Sequence, residues 1–411
     1  MHRVMSMKLG KNRVIGSAFL VAGTSIGAGM LALPLTTGSS GFFYTVSLFI
    51  GCFLFMLLNL FYLLEASLMV EEEECNLMTM MKSKLGCWGW WIGSGSFLML
   101  LYSAEAAYLS GGGSLIINLL SIQECCMSEG TGIVLFLMIF GFFVMFGTSL
   151  IDELNRFCMT GLILSFLLLV FIILPHVNYQ HFLGGSFKRL PFSLPVVVLS
   201  FTSHILVPSL CSYLHRKVPD LKKALFWGSV IPLIFYLTWE YVVVGMIPLK
   251  GEGGLIQINE MSYPLSGLTM AIQRALQFSW IRWVIDSFSF FALVTSFLGV
   301  SLSLYDFLSD GFKIKKKGWG QVWLLLFTFI PPLFFALFCP RGFILALGYA
   351  GVFVAILFGI LPVFLVWQGR YIQRRATAFC VIGGKPLLVV TLLGSIAIIF
   401  FQIAMTFHWF Y

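Results

Sequence analysis

One feature constrains this chain more than any other: its apolar residues run together in blocks of membrane-spanning length. A window of about 20 residues, the length needed to cross about 30 Å of hydrocarbon, finds eleven such blocks. They lie near 15–37, 42–65, 91–117, 131–150, 157–177, 193–214, 224–248, 281–308, 320–339, 342–367 and 387–408. A backbone in lipid must satisfy its own hydrogen bonds, so these blocks are read as helices. The expectation is an all-α integral membrane protein with about eleven transmembrane helices. Composition agrees: 59% of the 411 residues are hydrophobic and only 10% charged, too little polar surface to cover a water-soluble globule.

The charge pattern sets an orientation. With the N-terminus in the cytoplasm, 19 of the 25 Lys and Arg residues fall in inner segments and six in outer ones. That is the asymmetry of the positive-inside rule, and it places the C-terminus in the periplasm. It also accounts for the net charge of +8 without a nucleic-acid partner. Met1 to Arg13 is polar and basic, and no cleavable signal peptide is expected before the first full span. The acidic run Glu71 to Glu74 reads as a solvated inner turn. The nine cysteines show no metal spacing or disulfide framework, and Cys125 and Cys126 are adjacent. No metal or organic cofactor is expected, and no oligomeric interface is assigned.

The first block contains GTSIGAGMLALP (23–34). Glycine and proline weaken helices, and here three glycines fall within seven residues ahead of Pro34. Such glycines can simply allow close helix packing. They can also let the backbone leave helical geometry at mid-membrane, where freed groups need protein, ion or substrate partners. The sixth block favours the second reading. LSFTSHILVPSLCSY (199–213) has a polar centre at Thr202, Ser203 and His204, with Pro208 four residues beyond His204, as Pro34 is four beyond Met30. Two interrupted helices five spans apart match a five-plus-five inverted repeat, whose sites form where the breaks meet. The repeats fall at 15–178 and 193–367, after a cytoplasmic tail at 1–14 and before an additional span at 387–408. Amides opening one half-helix suit a carboxylate, and carbonyls closing another suit an ammonium group or a metal cation. A zwitterionic amino acid needs both.

Ionisable residues within spans are costly and usually functional, which singles out Glu105, His204, Glu240 and Asp286. Glu105 sits one helical turn before Tyr108 and is the first choice for a proton carrier, Glu240 the second. Asp286 is placed near the outer interface in a solvated role. His204 is either a titrating group or a hydrogen-bonded structural histidine. Tyr108 is either a cap for the substrate carboxylate or a packed tyrosine. Gly111, Gly112 and Gly113 lack a following Gly-Lys-Ser/Thr and read as helix-packing glycines. A channel would want a continuous polar pore, and an embedded enzyme a catalytic cluster; neither pattern is present.

GTSIGAGMLALP and FTSHILVPSLCSY, together with TSFLGVSLSLYDF (295–307) and PPLFFALFCPRGFILALGYAGV (331–352), resemble the hydroxy and aromatic amino acid permeases, closest to their bacterial tyrosine-specific members. That family belongs to the amino acid, polyamine and organocation superfamily. The resemblance spans about residues 13 to 400. It implies the leucine-transporter type of fold, a bacterial inner membrane, and uptake of tyrosine coupled to an inward ion gradient, usually protons. It implies that the first-span backbone at Ala22, Gly23, Ile26, Gly27, Ala28 and Gly29 holds the amino-acid head group, faced by Phe201, Thr202, Ser203 and His204, with Tyr108 at similar depth. Where the family commonly has a Phe-Gly-Phe-His-like run, this chain has Phe-Thr-Ser-His, which changes the pocket wall. In sodium-coupled relatives of the fold, adjacent hydroxyls on the eighth span coordinate Na⁺ with carbonyls of the first break. Thr295 and Ser296 occupy that register and keep sodium open as the alternative coupling ion. A transport-inactive sensor of the same fold, and a broader tryptophan or phenylalanine specificity, also stay open.

Overall fold

A computed structural model describes residues 2–70, 76–120, 128–261, 263–277, 280–339, 342–375 and 377–407. Glu71 to Glu74, Cys125 and Cys126 lie outside them. All the regular secondary structure of the described residues is helical, with no strand.

The first span is two helices, α1 (His2–Ser25) and α2 (Gly29–Thr37). The membrane-length segments Asn12–Ser25 and Gly29–Ser40 are bent by 56° where they meet. Next come α3 (Phe42–Leu68), α4 (Leu77–Leu120, kinked at Gly86), α5 (Glu129–Val144) and α6 (Thr148–Ile173). The sixth span, Phe187–Tyr213, holds α7 (Leu194–Ser200) and α8 (Val207–Tyr213), separated by non-helical Thr202 and Ser203 and a 3₁₀ turn at His204–Leu206. Then follow α9 (Val218–Met246), two short helices α10 (Leu255–Glu260) and α11 (Pro264–Leu276), α12 (Ile281–Phe312) and α13 (Trp319–Phe338). The tenth span, Gly342–Ile372, runs as α14 (Gly342–Val354), a π-helical turn at Ala355–Ile360 and α15 (Leu361–Trp367) before a second π segment. The last helix is α16 (Gly384–Thr406).

Among the described residues, eight helices are long and apolar enough to cross a membrane, and the bent first pair makes nine. The eleven expected from sequence include two more, which fall on α4 and α5. The third coincides with the second half of α4, where Glu105, Ser110 and Ser114 dilute the apolar run. The fourth is the shorter apolar helix Gly130–Val144.

Packing explains the small residues of α4. A methyl group on Gly112 would fall 2.5 Å from the Phe136 ring of α5, and one on Gly111 would fall 2.8 Å from Leu293 of α12. The three consecutive glycines let neighbouring helices close on α4.

One end of the molecule is tied by arginine. Glu65, in the last turn of α3, is fully buried and takes a two-pronged ion pair from Arg370 at 2.5 Å, plus the Val381 N–H at 2.8 Å. Arg216 donates to the carbonyls of Ser67, Leu68 and Val70, and Arg375 to that of Met69. These are the carbonyls a helix terminus leaves without an intrahelical partner. A buried pair broken from one side is strongly destabilising. Arg370→Ala is therefore expected to lower stability by about 3–5 kcal/mol, seen as a large drop in melting temperature of the detergent-solubilised protein. Lys316→Ala, at the exposed pair with Asp306, should change it by less than about 1 kcal/mol.

Candidate functional site

The two interrupted spans meet at mid-molecule. Leaving the helix at Ser25 and re-entering at Gly29 releases backbone donors and acceptors that the fold must serve locally. Met30 and Leu31 turn their amides back onto the carbonyls of Gly27 and Ala28, at 3.0 and 3.1 Å. The Ala28 amide instead crosses to α12, donating to Ser296 Oγ at 2.9 Å.

The glycines of this break act by closeness. The helix is interrupted between Ser25 and Gly29, where the glycines are expected to let it break; neither Gly27 nor Gly29 has a positive φ, and what their missing side chains add is close approach. A methyl on Gly27 would collide with Ser296 Oγ, and one on Gly29 would lie 3.1 Å from Ser200 Oγ. Gly27 thus brings the break against α12, and Gly29 brings it against the end of α7. Ile26 and Ala28 are buried. Ala22 and Gly23 lie one turn earlier within α1: the Ala22 carbonyl accepts from Ile26 N–H at 2.9 Å, and Gly23 faces Met159 of α6.

A residue that the sequence reading missed joins the two breaks. Tyr236, on α9 and fully buried, places its hydroxyl 2.7 Å from the Ser25 carbonyl and 2.7 Å from the Ser200 carbonyl. These are the last residues of α1 and α7. Its ring meets Phe201 edge-on at 5.2 Å, and Phe201 in turn meets Phe53 of α3. No local pattern around Tyr236 distinguishes it from a packed tyrosine; the pairing exists only across three helices.

The other sequence candidates divide into two groups. Tyr108 lies near Ser296 of α12, on the side of the first break. Thr295 is buried on the same helix. Thr202 turns its hydroxyl onto its own chain at Val198, and Ser203 is buried in the second break. His204 turns instead to α3: Nε2 meets the Met56 carbonyl at 3.0 Å and the ring stacks on Phe358 of the π-helical turn at 5.1 Å. Such turns recur at functional sites. Nδ1 of His204 has no hydrogen-bond partner.

Among the described residues, three carboxyls besides Glu65 are buried between these helices at different levels. Glu105 accepts from Ser301 of α12 at 2.6 Å through Oε1, while Oε2 has no partner. Glu240 is 2.8 Å from the Thr37 hydroxyl of α2 through Oε1, again with Oε2 unpartnered. Both are fully buried. Asp286 corrects the sequence expectation of a solvated position: it is only 2% exposed and lies 3.5 Å from Arg282. Arg282 also donates to the Asn118 carbonyl. Interhelical packing covers Asp286, which a hydropathy window does not see.

Comparison with known proteins adds a family. The model of the tryptophan/tyrosine permease family matches residues 10–402. The chain is 34% identical over 391 residues to tyrosine-specific transport system 2 of Haemophilus influenzae, covering 94% of this chain and 95% of the relative. It is 36% identical over 390 residues to tyrosine-specific transport system 1 of the same organism, covering 93% and 95%. It is 30% identical over 416 residues to the tryptophan-specific transport protein of that organism, covering 97% of each.

The contact between Gly27 and Ser296 makes a testable coupling. Gly27→Ala should destabilise by about 1–3 kcal/mol, as overpacking does, whereas Gly51→Ala, in the interior of α3 where a methyl meets nothing within 4 Å, should not destabilise, since alanine is the better helix former. In Gly27→Ala/Ser296→Ala the colliding oxygen is gone, so the double variant should be more stable than the sum of the two single costs predicts. Thermal unfolding of the four proteins measures this.

Proposed function

This chain belongs to the tryptophan/tyrosine permease family, and from that premise we propose that it is a secondary active transporter that imports an aromatic amino acid, L-tyrosine first, by proton symport. The observation that carries this reading is the meeting of two interrupted spans, joined through Tyr236 and braced by Ser296. Half-helix ends converging at mid-span offer amide donors to a carboxylate and carbonyl acceptors to an ammonium group. The amides of Gly27 and Gly29 would take the carboxylate, with Ala22, Gly23, Ile26 and Ala28 as the surrounding backbone and Tyr108 as a hydroxyl beside it. Phe201, Thr202, Ser203 and His204 would form the facing wall.

Tyrosine is favoured by the two relatives of highest identity reported above, which are named for it; tryptophan is the competing substrate, after the third. The proposed organisation is two inverted repeats, 15–178 and 193–367, with the 387–408 helix added and eleven spans in all. The N-terminus would be cytoplasmic and the C-terminus periplasmic in a bacterial inner membrane. The basic residues gathered at the end of α3, Arg216, Arg370 and Arg375, would then mark the cytoplasmic side, in keeping with the positive-inside rule.

Coupling needs a group that gains and loses charge. Glu105 is the proposed carrier and Glu240 the second. A buried carboxyl with one unpartnered oxygen has an open position for a proton, and Glu105 stands one helical turn from Tyr108. Sodium coupling through Thr295 and Ser296 is the rival. Ser296 Oγ accepts the Ala28 amide, which takes one of its two lone pairs and leaves the other for a cation; the proton is preferred because Glu105 and Glu240 each keep an unpartnered oxygen.

Uptake of radiolabelled L-tyrosine, L-tryptophan and L-phenylalanine into proteoliposomes, with pH and sodium gradients imposed separately, tests the whole reading. Accumulation driven by an inward proton gradient is expected; binding without accumulation would indicate a sensor. Gly27→Leu should abolish uptake while the protein still inserts in the membrane. Glu105→Gln fixes a neutral side chain, so the rise in uptake with external acidity should disappear, and an unchanged pH profile would exonerate Glu105.

A further inference from the structure

We propose that Asp286 and Arg282 form a proton-operated latch between the ends of α12 and α4 that the proposed topology places outside: Arg282 holds the end of α4 while Asp286 carries a proton, and closes on Asp286 when that proton leaves. The inference rests on the proton-coupled reading of α4, the helix that carries Glu105, and adds to it a site at the far end of that helix.

Asp286 is only 2% exposed, yet neither of its oxygens has a hydrogen-bond partner. Arg282, one turn earlier on α12, brings Nε to 3.5 Å from Oδ2, beyond the roughly 2.7–2.9 Å of a charge-assisted hydrogen bond. Its Nη2 donates instead to the Asn118 carbonyl in the last turn of α4, one of the carbonyls that a helix terminus leaves without an intrahelical partner. A buried carboxylate without hydrogen bonds carries the cost of an uncompensated charge, and a proton removes it. The arrangement is therefore the one that suits the neutral acid. Glu65 shows the opposite case in the same molecule, since its two oxygens take both prongs of Arg370 and the Val381 N–H.

Loss of the proton from Asp286 leaves a negative charge beside a guanidinium that needs to move by only about 1 Å to reach it. Arg282 would then exchange a neutral carbonyl for a charged acceptor, and α4 would lose this tie to α12. Arg282 is 26% exposed, so water reaches the side chain that covers Asp286. Of the elements packed against α12, α4 has no charged residue between Glu105 and Leu120, α6 none between Arg156 and Ile173, and α13 none. The short helix α11 carries Arg274, which is exposed, and α5 opens with Glu129. Arg282 is thus the charged group that answers Asp286. From Asn118 the same helix runs through Gly111–Gly113 to Tyr108 and Glu105, so a tie at its end bears on the helix of the proposed carrier.

The experiment compares the full-length protein with Asp286→Asn, which fixes a neutral side chain of the same shape, in proteoliposomes. Hydrogen–deuterium exchange of segment 115–120 is followed by mass spectrometry from acidic to alkaline pH, and comparing the two proteins at each pH cancels the intrinsic pH dependence of exchange. Equal protection is expected at acidic pH. At alkaline pH the segment should exchange about tenfold faster in the unmodified protein than in Asp286→Asn, the loss of one hydrogen bond to a charged group. Arg282→Gln should exchange fast at every pH. In parallel, L-tyrosine uptake by Asp286→Asn should fall off at a more alkaline external pH than that of the unmodified protein. Identical protection in the unmodified protein and Asp286→Asn across the range, a difference of the same size at acidic and alkaline pH, or an unchanged uptake profile would each overturn the proposal. Uptake by the unmodified protein that ignores an imposed proton gradient would overturn the coupling reading instead, and the exchange comparison would still decide the latch.

Discussion

Unwinding a helix inside a membrane creates a debt of backbone hydrogen bonds, and the centre of this protein is organised by how those bonds are met. The first break sends one amide to Ser296 on α12 and one carbonyl toward Tyr236 on α9, and the second break sends its own carbonyl to the same tyrosine. Lipid cannot supply such partners, so α9 and α12 must lie where they do for the breaks to exist at all. The glycines serve the same end: their missing side chains let Ser296 and Ser200 reach the unwound backbone.

This arrangement links stability to function. A backbone satisfied by side chains of other helices depends on their positions, whereas an intact helix carries its bonds within itself. Movement of α12 or α9 relative to the first span would therefore alter which groups at the centre are free to bind. The far end of α3 contrasts with this, because Glu65 and four consecutive backbone carbonyls are fixed by three arginines. Charge pairing and terminal carbonyl capping hold one end of the bundle, while single neutral hydrogen bonds hold its middle.

Much of the architecture is legible in the residues. The apolar blocks mark the helices because lipid imposes their length, and Gly27, Gly29 and Pro34 in the first span, with Thr202, Ser203 and Pro208 in the sixth, mark the interruptions because these residues weaken helices locally. Ser296 is visible as a polar residue in register with the first break. Tyr236 is not, because nothing within a turn of it separates a clasp from a packed aromatic. The partnership of Glu65 with Arg370 joins residues 305 apart in the chain, and Asp286 is covered by neighbouring helices that no window along one segment can report. Local strain is written in sequence, while long-range partners are set by packing.

The most direct test is an experimental structure of the protein with L-tyrosine bound. The account predicts density for the amino-acid head group between Gly27–Gly29 and Phe201–Ser203. Continuous helix through either break, or a ligand held away from both of them, would contradict it.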